Sequence, residues 1–399
     1  MSENRSQKVY KIIMLVVITS LITAILTTVF VYNKIAGTTD IKNIVASGNN
    51  SGLELTLSKI RTELEERYIG EIDDEAMLEG AIKGYVEGLG DEYAEYYPPK
   101  EMNNTLDEAN GNYVGIGIYM IVDKEAGQIV VSEPMEGSPA KEAGIISGDI
   151  ITKVNGEEIT TENVSDMSDK IKGEEGTKVK LEILRDNKNL TLDVERRRIV
   201  ISHINSRIVE ENIGYIQITD FDGGTANEFK TKYDELKTKG IKSLIIDIRS
   251  NGGGIVDEAI NILDMLCKKG DTLLITVNKK EKEEITKSKK EQQIDVPVVV
   301  LVNGHSASAS EILAGALQDN GRAKLVGNKT YGKGVIQTLI QLSDGSGLKM
   351  TTEEYYTPNR NKINKVGIKP DYEVDLPKDI EELTDENDTQ LQKAIDLLK

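Results

Sequence analysis

The stretch from Asn303 to Ile312, NGHSASASEI, carries three serines on alternate positions, one histidine and one glutamate. Ser308 is followed three residues later by Glu311, just before an apolar helical run, and this is a capping-box signature. Ser308 therefore either only satisfies backbone N–H groups, or it is a nucleophile placed where backbone donors and the helix dipole stabilise an oxyanion. Ser306 and Ser310 have no acidic residue three positions on, and we expect them to be packing or hydrogen-bonding residues.

A nucleophilic serine needs a base that takes its proton. His305 lies on the same loop and His203 in a segment without a motif, but neither belongs to a recognisable triad, and there is no G-x-S-x-G elbow. We therefore expect both histidines to be structural. Lys333 is the better candidate, because its flanking residues Gly332 and Gly334 allow close backbone approach.

Lys333 can act as a base only if its amine is neutral near pH 7. An ordinary lysine has a pKa of about 10.4, and lowering it to about 7–8 takes roughly 4 kcal/mol, which burial among apolar side chains can supply. Glycine-flanked lysines are also common in turns, so the residues alone leave a structural role open.

Two strand–loop–helix units are predicted to position these residues. The first consists of SLIIDIR, the loop SNGGG and the helix IVDEAINILDMLCKK; the second consists of VPVVVLV, the serine stretch and ASEILAGALQDNG. Such units favour neighbouring strands in one sheet with both loops at the same sheet end, where open α/β sheets place ligands. The SNGGG loop by itself is typical of a flexible turn, since it lacks the full phosphate-binding pattern G-x-x-x-x-G-K-[ST].

Composition argues against several classes of function. The chain has 49 Lys and Arg against 67 Asp and Glu, a formal charge of −18, so nucleic acid is not expected as a partner. The presence of only two histidines argues against a zinc hydrolase. The single cysteine, Cys267, rules out an internal disulfide, and its apolar helical surroundings indicate a buried small residue.

The N-terminus predicts a membrane anchor. Residues 12–32 carry no charge and would span about 31 Å as a helix, which matches a hydrocarbon core of about 30 Å. Three basic residues precede this span, so we expect the rest of the chain to lie outside the cytoplasmic membrane. A cleaved signal peptide is the alternative, although its apolar region is usually shorter. Residues 1–34 are thus assigned to a cytoplasmic tip and anchor, and residues 35–52 to a linker.

Two segments of different character follow the linker. Residues 53–110 are predicted to be helical, because apolar residues recur at helical spacing, and the expected role is packing or dimer formation. The residues on that apolar face are Leu53, Leu57, Ile60 and Leu64. Residues 111–196 consist of short β-type runs separated by Gly, Asp and Asn, with a tight-turn signal at Asn155-Gly156.

Residues 111–196 resemble a PDZ domain, on the runs YVGIGI and SPAKEAGIISGDIITKVNGEEI. Such domains bind a C-terminal peptide as an added strand while backbone N–H groups hold its carboxylate. An ordinary glycine-kinked strand is the alternative for YVGIGI taken alone. Lys172 stands where arginine is common in the family, which leaves the coupling of this domain to activity open. The resemblance implies a peptide-binding loop of Tyr113, Val114, Gly115, Ile116, Gly117 and Ile118.

From about Leu53 to its C-terminus the chain resembles the carboxyl-terminal processing peptidases, serine–lysine proteases of family S41 that carry a PDZ domain. The match is strongest over SASASEILAGALQDNGRAKLVGNKTYGKGVIQT and continues in LKMTTEEYYTPNRNKINKVGIKPDYEV and DTQLQKAIDLL. The resemblance implies that Ser308 is the nucleophile and that Lys333, 333 − 308 = 25 residues later, is the general base.

The same resemblance implies three supporting roles. Gln337 is expected to orient the lysine, although four residues of extended strand span about 13 Å and direct contact needs a bend. The glycine loop DIRSNGGG is expected to donate one oxyanion N–H, from Gly253 or else from Gly252. The second N–H is expected from Ala309.

The implied architecture is mixed α/β: a single transmembrane helix, a helical N-terminal segment, the PDZ domain and a ClpP/crotonase-like α/β protease core. The core is assigned to residues 197–377 and a C-terminal helical segment to residues 378–399. The implied function is a membrane-anchored serine endopeptidase that cleaves protein C-terminal regions outside the cytoplasmic membrane. It needs no cofactor and no metal, its substrates are proteins or peptides with accessible C-termini, and a homodimer stays open.

Two other functions remain compatible with the sequence. The first is a catalytically inactive, membrane-tethered PDZ adaptor that only binds peptides. The second is a hydrolase of small esters that uses His203 or His305.

Overall fold

The computed structural model describes residues 51–109, 113–199, 201–377 and 382–399. The predicted anchor at residues 12–32 and nearly all of the linker lie outside the described residues. Within those described ranges, no helix is both long enough and apolar enough to cross a bilayer.

The first described segment contains helices α1 (Ser51–Arg67), α2 (Asp74–Glu87) and α3 (Pro99–Ala109). Between α2 and α3 lies strand β1 (Glu95–Tyr97), which pairs antiparallel with residues 347–349. The predicted helices are present, and β1 is an addition that the sequence did not predict: adjacent tyrosines favour a pleated surface and the following prolines end the strand.

The next segment forms an antiparallel sheet closed by two short helices. Its elements are β2 (Tyr113–Gly115), β3 (Ile118–Asp123), β4 (Gln128–Pro134), α4 (Pro139–Glu142), β5 (Ile150–Val154), β6 (Glu157–Glu158), α5 (Val164–Ile171), β7 (Lys178–Arg185) and β8 (Lys188–Glu195). The sheet order is β3-β4-β5-β7-β8, with β6 pairing β5, so β3 is an edge strand. The predicted tight turn is present, since Asn155 and Gly156 have φ values of 53° and 86°.

A separate two-stranded ladder closes this segment. Strand β9 (Arg197–Ile199) pairs antiparallel with β2, and Tyr113 lies opposite Ile199. The ladder therefore uses residues on both sides of the boundary that the sequence places at residue 196.

A six-stranded sheet forms the centre of the segment that the sequence assigns to residues 197–377. Its strands are β10 (Ile204–Glu210), β11 (Ile213–Ile218), β12 (Ser243–Asp247), β15 (Val298–Val302), β16 (Ala323–Gly327) and β19 (Tyr372–Glu373), and their order in the sheet follows their order in the chain. Only β10 runs antiparallel to its neighbour. The predicted pairing of the two strand–loop–helix units is confirmed, because β12 and β15 are parallel neighbours.

Helices cover both faces of this sheet. The first face carries α6 (Thr225–Thr238), α7 (Val256–Leu266) and α8 (Ala309–Asp319), and the second carries α9 (Thr389–Leu398). Alternate residues of each strand serve the two faces: Leu244 and Ile246 pack with the first helix layer, and Ile245 packs with the second. The central strands are consequently apolar throughout.

A second, antiparallel sheet lies next to the loop that carries Lys333. It contains β13 (Thr272–Asn278), β14 (Glu283–Lys287), β17 (Val335–Gln341) and β18 (Gly347–Tyr356) in the order β1-β18-β13-β14, with β17 pairing β18. Strand β17 begins two residues after Lys333, so this sheet sets the course of the lysine loop.

Candidate active site

Ser308 lies on a sharp turn between strand β15 and helix α8. As the N-cap of α8 it has φ = 54° and ψ = −117°, a backbone conformation that is costly for a residue with a side chain. A strained strand–turn–helix serine is the geometry of a nucleophile elbow, which exposes the hydroxyl at the end of a sheet. The sequence did not predict it, because the usual flanking glycines are absent.

Two neighbouring serines anchor this turn. Ser306 and Ser310 are fully buried, and their hydroxyls donate to the carbonyl oxygens of Ile248 (2.8 Å) and Asn251 (3.0 Å). Both acceptors lie on the segment that leads from β12 into the glycine loop. The predicted hydrogen-bonding role of these serines is confirmed, and it fixes the serine turn against the glycine loop.

Gly253 makes the closest contact between the glycine loop and the serine turn. Its φ is 114°, and a Cβ at this position would lie 2.7 Å from Ser308 Cβ and 2.8 Å from the carbonyl oxygen of Ala307. Only glycine fits both this conformation and this space.

The amide groups expected to form the oxyanion hole differ in their partners. The N–H of Gly253 donates to the side-chain oxygen of Asn251 (2.8 Å), which is itself fully buried. The N–H of Ala309 has no acceptor among the described residues and faces Gly253, whose ideal Cβ would lie 3.1 Å from it. In this arrangement only the Ala309 donor is open to a ligand, and the donor expected from Gly253 is engaged.

Glu311 joins the serine turn to the lysine loop. Its buried carboxylate accepts hydrogen bonds from the N–H groups of Ser308 (3.0 Å), Gly332 (2.7 Å) and Lys333 (2.9 Å), and from the hydroxyl of Thr330 (2.5 Å). Burial raises the pKa of Glu311, although these four donors act in the opposite direction. The capping signature identified Glu311, but its contacts with the lysine loop depend on the tertiary fold.

The glycines beside Lys333 permit the close approach that the sequence predicts. Gly332 has φ = 96°, and a Cβ on Gly334 would lie 2.2 Å from the backbone nitrogen of Asn364. These contacts hold the lysine loop against residues 363–367.

The amine of Lys333 points at an aromatic ring. Its Nζ lies 4.3 Å from the centroid of the Tyr93 ring, and no hydrogen bond between Nζ and Ser308 Oγ is present in the described part of the chain. Burial lowers the pKa of Lys333, and the nearby positive charge of Lys349 lowers it further, while Glu92 opposes both. The lowered pKa favours the neutral amine that a base requires.

Gln337 lies on β17, next to an irregularity in the pairing with β18. Its side-chain amide donates to Thr351 Oγ1 (3.3 Å) and, weakly, to the carbonyl oxygen of Val335 (3.4 Å). The structure therefore brings Gln337 onto the neighbouring strand and not into a hydrogen bond with Lys333.

Tyr355 is a further residue of the site that the sequence did not single out. Its buried hydroxyl contacts the main-chain carbonyl oxygens of both Ser308 (3.0 Å) and Lys333. Burial raises the pKa of Tyr355 well above its usual value, so it remains a neutral donor. Only the fold could identify it, because a tyrosine in a strand carries no positional signal.

Neither histidine is joined to Ser308 by a hydrogen bond in the described residues. His203 Nε2 lies 3.1 Å from Asp222 Oδ2, and His305 is exposed on the turn before Ser306. Cys267 is fully buried, as predicted, and burial raises its pKa to about 12. Among the described residues, no cluster of three or more His, Cys, Asp or Glu could hold a metal ion.

Residues 212–374 match the profile of peptidase family S41, and residues 130–185 match that of the PDZ domain. The chain is 37% identical over 322 residues to the carboxy-terminal processing protease CtpA of Bacillus subtilis (strain 168), covering 80% of this chain and 69% of that protein. It is 35% identical over 379 residues to a CtpA-like serine protease of Staphylococcus aureus (strain N315), covering 93% of this chain and 74% of that protein. The chain belongs to the carboxyl-terminal processing peptidases of family S41.

The fold of this peptidase agrees with its family. A structure solved for an S41 protease of Bacteroides fragilis NCTC 9343 covers 83% of this chain and 91% of that chain, with 19% identity and a TM-score of 0.50. The family match and the relatives identify the peptidase as a serine-type enzyme with a PDZ domain, and the solved structure agrees with its mixed α/β fold.

The predicted peptide-binding residues of the peptidase fall into three groups. Residues 113–115 form β2 and are paired with β9. Ile116 and Gly117 are buried, and their carbonyl oxygens accept from the N–H groups of Ala140 (2.9 Å) and Met135 (3.0 Å). Ile118 begins the edge strand β3, against which α5 packs.

Proposed function

We propose that this peptidase is a membrane-anchored endopeptidase that captures exposed protein C-termini with its PDZ domain and cleaves C-terminal regions outside the cytoplasmic membrane. The observation that carries the catalytic part is the Glu311 carboxylate, which accepts from the main-chain N–H groups of Ser308 and Lys333 at once. A nucleophile on a strained turn and a desolvated amine are thereby fixed on adjoining loops.

In the proposed reaction the neutral amine of Lys333 takes the proton of Ser308 as its oxygen attacks the scissile carbonyl. The N–H of Ala309 donates to the developing oxyanion at the positive end of α8, and the glycine loop supplies a second donor. The protonated lysine then gives its proton to the leaving amine, and water clears the acyl-enzyme. Two side chains must move for this step. The amine of Lys333 now lies over the Tyr93 ring, and the side-chain oxygen of Asn251 now accepts the hydrogen bond of the Gly253 N–H.

Substrate capture is proposed at the edge strand β3. Its main-chain groups on the open side can pair with an added peptide strand, and backbone N–H groups near Gly117 can hold the terminal carboxylate. The partly buried Ile118, Met120 and Val122 on β3 give the groove beside α5 an apolar lining, which suits an apolar last residue.

The catalytic proposal is tested with Ser308→Ala and Lys333→Ala in the full-length protein. We expect each variant to leave an unfolded substrate tail uncut, while a serine-directed covalent reagent labels the wild type and not Ser308→Ala. Mass spectrometry of the tails that only the wild type cuts identifies the substrates. Full activity in either variant would reject the assignment of the Ser308–Lys333 pair.

Anchoring and location are proposed from the N-terminal sequence. The charge-free span at residues 12–32 with basic residues before it supports an anchored chain with its peptidase outside the membrane. Externally added protease should then degrade the peptidase in intact cells stripped of their wall. Protection from that protease would contradict the proposed location.

A homodimer through helix α1 is proposed as well. Leu53, Leu57 and Ile60 are 43–49% exposed on this helix, an apolar stripe that a second copy could cover. Sedimentation of the soluble part should give a dimer that Leu57→Asp converts to a monomer; an unchanged wild-type monomer would rule the dimer out.

A further inference from the structure

The amine of Lys333 rests on the face of the Tyr93 ring, 4.3 Å from its centroid. Among the described residues, no carboxylate, hydroxyl or carbonyl accepts a hydrogen bond from this Nζ. A cation over an aromatic face is attracted by the ring quadrupole, and the attraction strengthens when water is excluded. Because Lys333 is half-buried, the ring is a principal partner of its charged form.

The position of Tyr93 is set by the peptidase sheet. The N–H of Tyr93 donates to Asp91 Oδ1 (3.0 Å), and the other carboxylate oxygen of Asp91 accepts from the N–H of Thr351 on β18 (3.1 Å). Two residues after Tyr93 the chain enters β1, which pairs with the same strand. The ring is therefore held beside the lysine loop by main-chain contacts at both ends of a short turn.

The charges around Lys333 come from several elements. Glu92 on the Tyr93 turn attracts the ammonium group, and Lys349 on β18 repels it. The amine of Lys349 itself binds Glu95 (2.7 Å) and the hydroxyl of Tyr97 (2.5 Å). Glu311 contacts Lys333 through the main-chain N–H of Lys333 and not through its amine. The hydroxyl of Tyr93 is hydrogen-bonded to Glu92 and interacts with the phenol of Tyr331, and the hydroxyl of Tyr355 contacts the main-chain carbonyl oxygen of Lys333.

We propose that Tyr93 is a positioning residue whose ring holds the protonated amine of Lys333 in a resting position, from which the amine must move to reach Ser308. This inference rests on the proposed role of Lys333 as the base. The ring stabilises only the cation, so it opposes the desolvation that favours the neutral amine. Substrate binding must therefore overcome the contact with Tyr93 before Lys333 can accept the proton of Ser308.

The test is the pH dependence of kcat/KM for the full-length enzyme in detergent, with an unfolded peptide tail as substrate. In Tyr93→Leu we expect the acid limb to move to lower pH by about 0.5–1.5 units, the equivalent of a lost cation–π contact. Well below the midpoint, kcat/KM should rise about 3- to 30-fold relative to the wild type. Tyr93→Phe keeps the ring and should keep the wild-type acid limb.

A second series guards against a folding defect in Tyr93→Leu. Phenylalanines that carry increasing numbers of fluorine atoms at position 93 keep the shape of the ring while weakening its quadrupole. We expect the acid limb of the pH profile to move stepwise to lower pH with each added fluorine. If the ring served only for packing, the position of the acid limb would stay constant. A constant acid limb across this series would overturn the inference.

The two proposals can fail separately. The role of Tyr93 alone would be rejected by two results together. Lys333→Ala would be inactive, and the acid limb of the pH profile would stay at its wild-type position in Tyr93→Leu and in the fluorinated enzymes. A fully active Lys333→Ala would reject the role of Lys333 as base, and the role of Tyr93 with it.

Discussion

Glu311 receives four hydrogen bonds while its side chain is fully buried, and two of the donors belong to the main chains of Ser308 and Lys333. At the scale of single residues, this carboxylate is the link that fixes the separation of the Ser308 turn and the lysine loop. A neutral amide in its place would present N–H groups to N–H donors and leave them without an acceptor.

We expect Glu311→Gln to lose about 2–4 kcal/mol of unfolding free energy and at least 100-fold in kcat, because buried donors lose a charged acceptor and the two loops separate. Denaturant titration and steady-state kinetics measure both effects. Glu235→Gln, on an exposed face of α6, is the control and should match the wild type. Wild-type kcat in Glu311→Gln would show that the loops are held by other contacts.

The half-buried ammonium group of Lys333 destabilises the folded state, because burial disfavours its charged form. Burial lowers its pKa below 10.5, so between that lowered pKa and 10.5 the unfolded chain binds more protons than the folded one. The unfolding free energy contributed by this group is therefore highest above pH 10.5, falls as the pH drops through this window, and stays low below it.

Lys333→Met should accordingly be inactive and yet more stable than the wild type at pH 7, with the difference shrinking as the pH approaches 10.5. Urea unfolding at several pH values measures this, and Lys329→Met, at an exposed position, serves as the control. Equal stability of Lys333→Met and wild type at pH 7 would contradict a desolvated ammonium group.

At the scale of elements, two strand–loop–helix units bring the glycine loop and the serine turn together. Parallel pairing of β12 and β15 places both loops at one end of the sheet, and the contact of Gly253 with Ser308 follows from that register. Substitutions in the loop should therefore be judged by the space around each glycine.

Gly253→Ala should nearly abolish activity and destabilise the protein by about 1–3 kcal/mol, since its φ is 114° and the added Cβ would overlap Ser308. Gly252→Ala is the matched control: a Cβ there meets nothing within 4 Å, and its stability should stay within about 0.5 kcal/mol of the wild type. Thermal melts and peptide cleavage compare the pair. Equal losses in the two variants would indicate that general loop flexibility matters more than the contact.

At the scale of the whole molecule, the C-terminal helix is built into the core. Arg249, which follows β12, contacts Asp247 (2.6 Å) and Asp388 (2.8 Å) and donates to Gln390 (3.0 Å). These carboxylates are nearly fully buried, and α9 packs on the central sheet through Leu391, Ala394 and Ile395. Residues 388–390 therefore hold Arg249, at the start of the glycine loop, through an ion pair and a hydrogen bond.

Arg249→Met should lower the unfolding free energy by about 3–5 kcal/mol, because two buried carboxylates lose their cation. Arg207→Met is the control: Arg207 also binds the C-terminal segment, at Asp385 (2.7 Å), with both side chains about half exposed, and its guanidinium lies 4.3 Å from the centroid of the Tyr215 ring, so the change should cost no more than about 2 kcal/mol. Calorimetric melting of both variants decides the point. A similar small shift in the two would mean that the buried cluster contributes little.

Local patterns in the sequence were enough to predict several strands of this peptidase, their parallel pairing and the candidate site residues. Apolar runs of β-branched residues predicted β11, β12 and β15, and the order of the strand–loop–helix units predicted their parallel pairing, because these features depend on neighbouring residues and on chain connectivity. The serine stretch and the glycine-flanked lysine were found for the same reason, although the residues alone left their roles open.

Contacts between distant parts of the chain were decided only by the tertiary structure. Strand β1, the hydrogen bonds of the lysine loop to Glu311, the hydroxyl of Tyr355 and the ring of Tyr93 on Lys333 each join residues that no local pattern relates. The strained backbone of Ser308 is likewise maintained by packing against Gly253 and by buried serine hydrogen bonds. Sequence thus selected the candidate catalytic residues, while the placement of their side chains depended on which surfaces the folded core brought into contact.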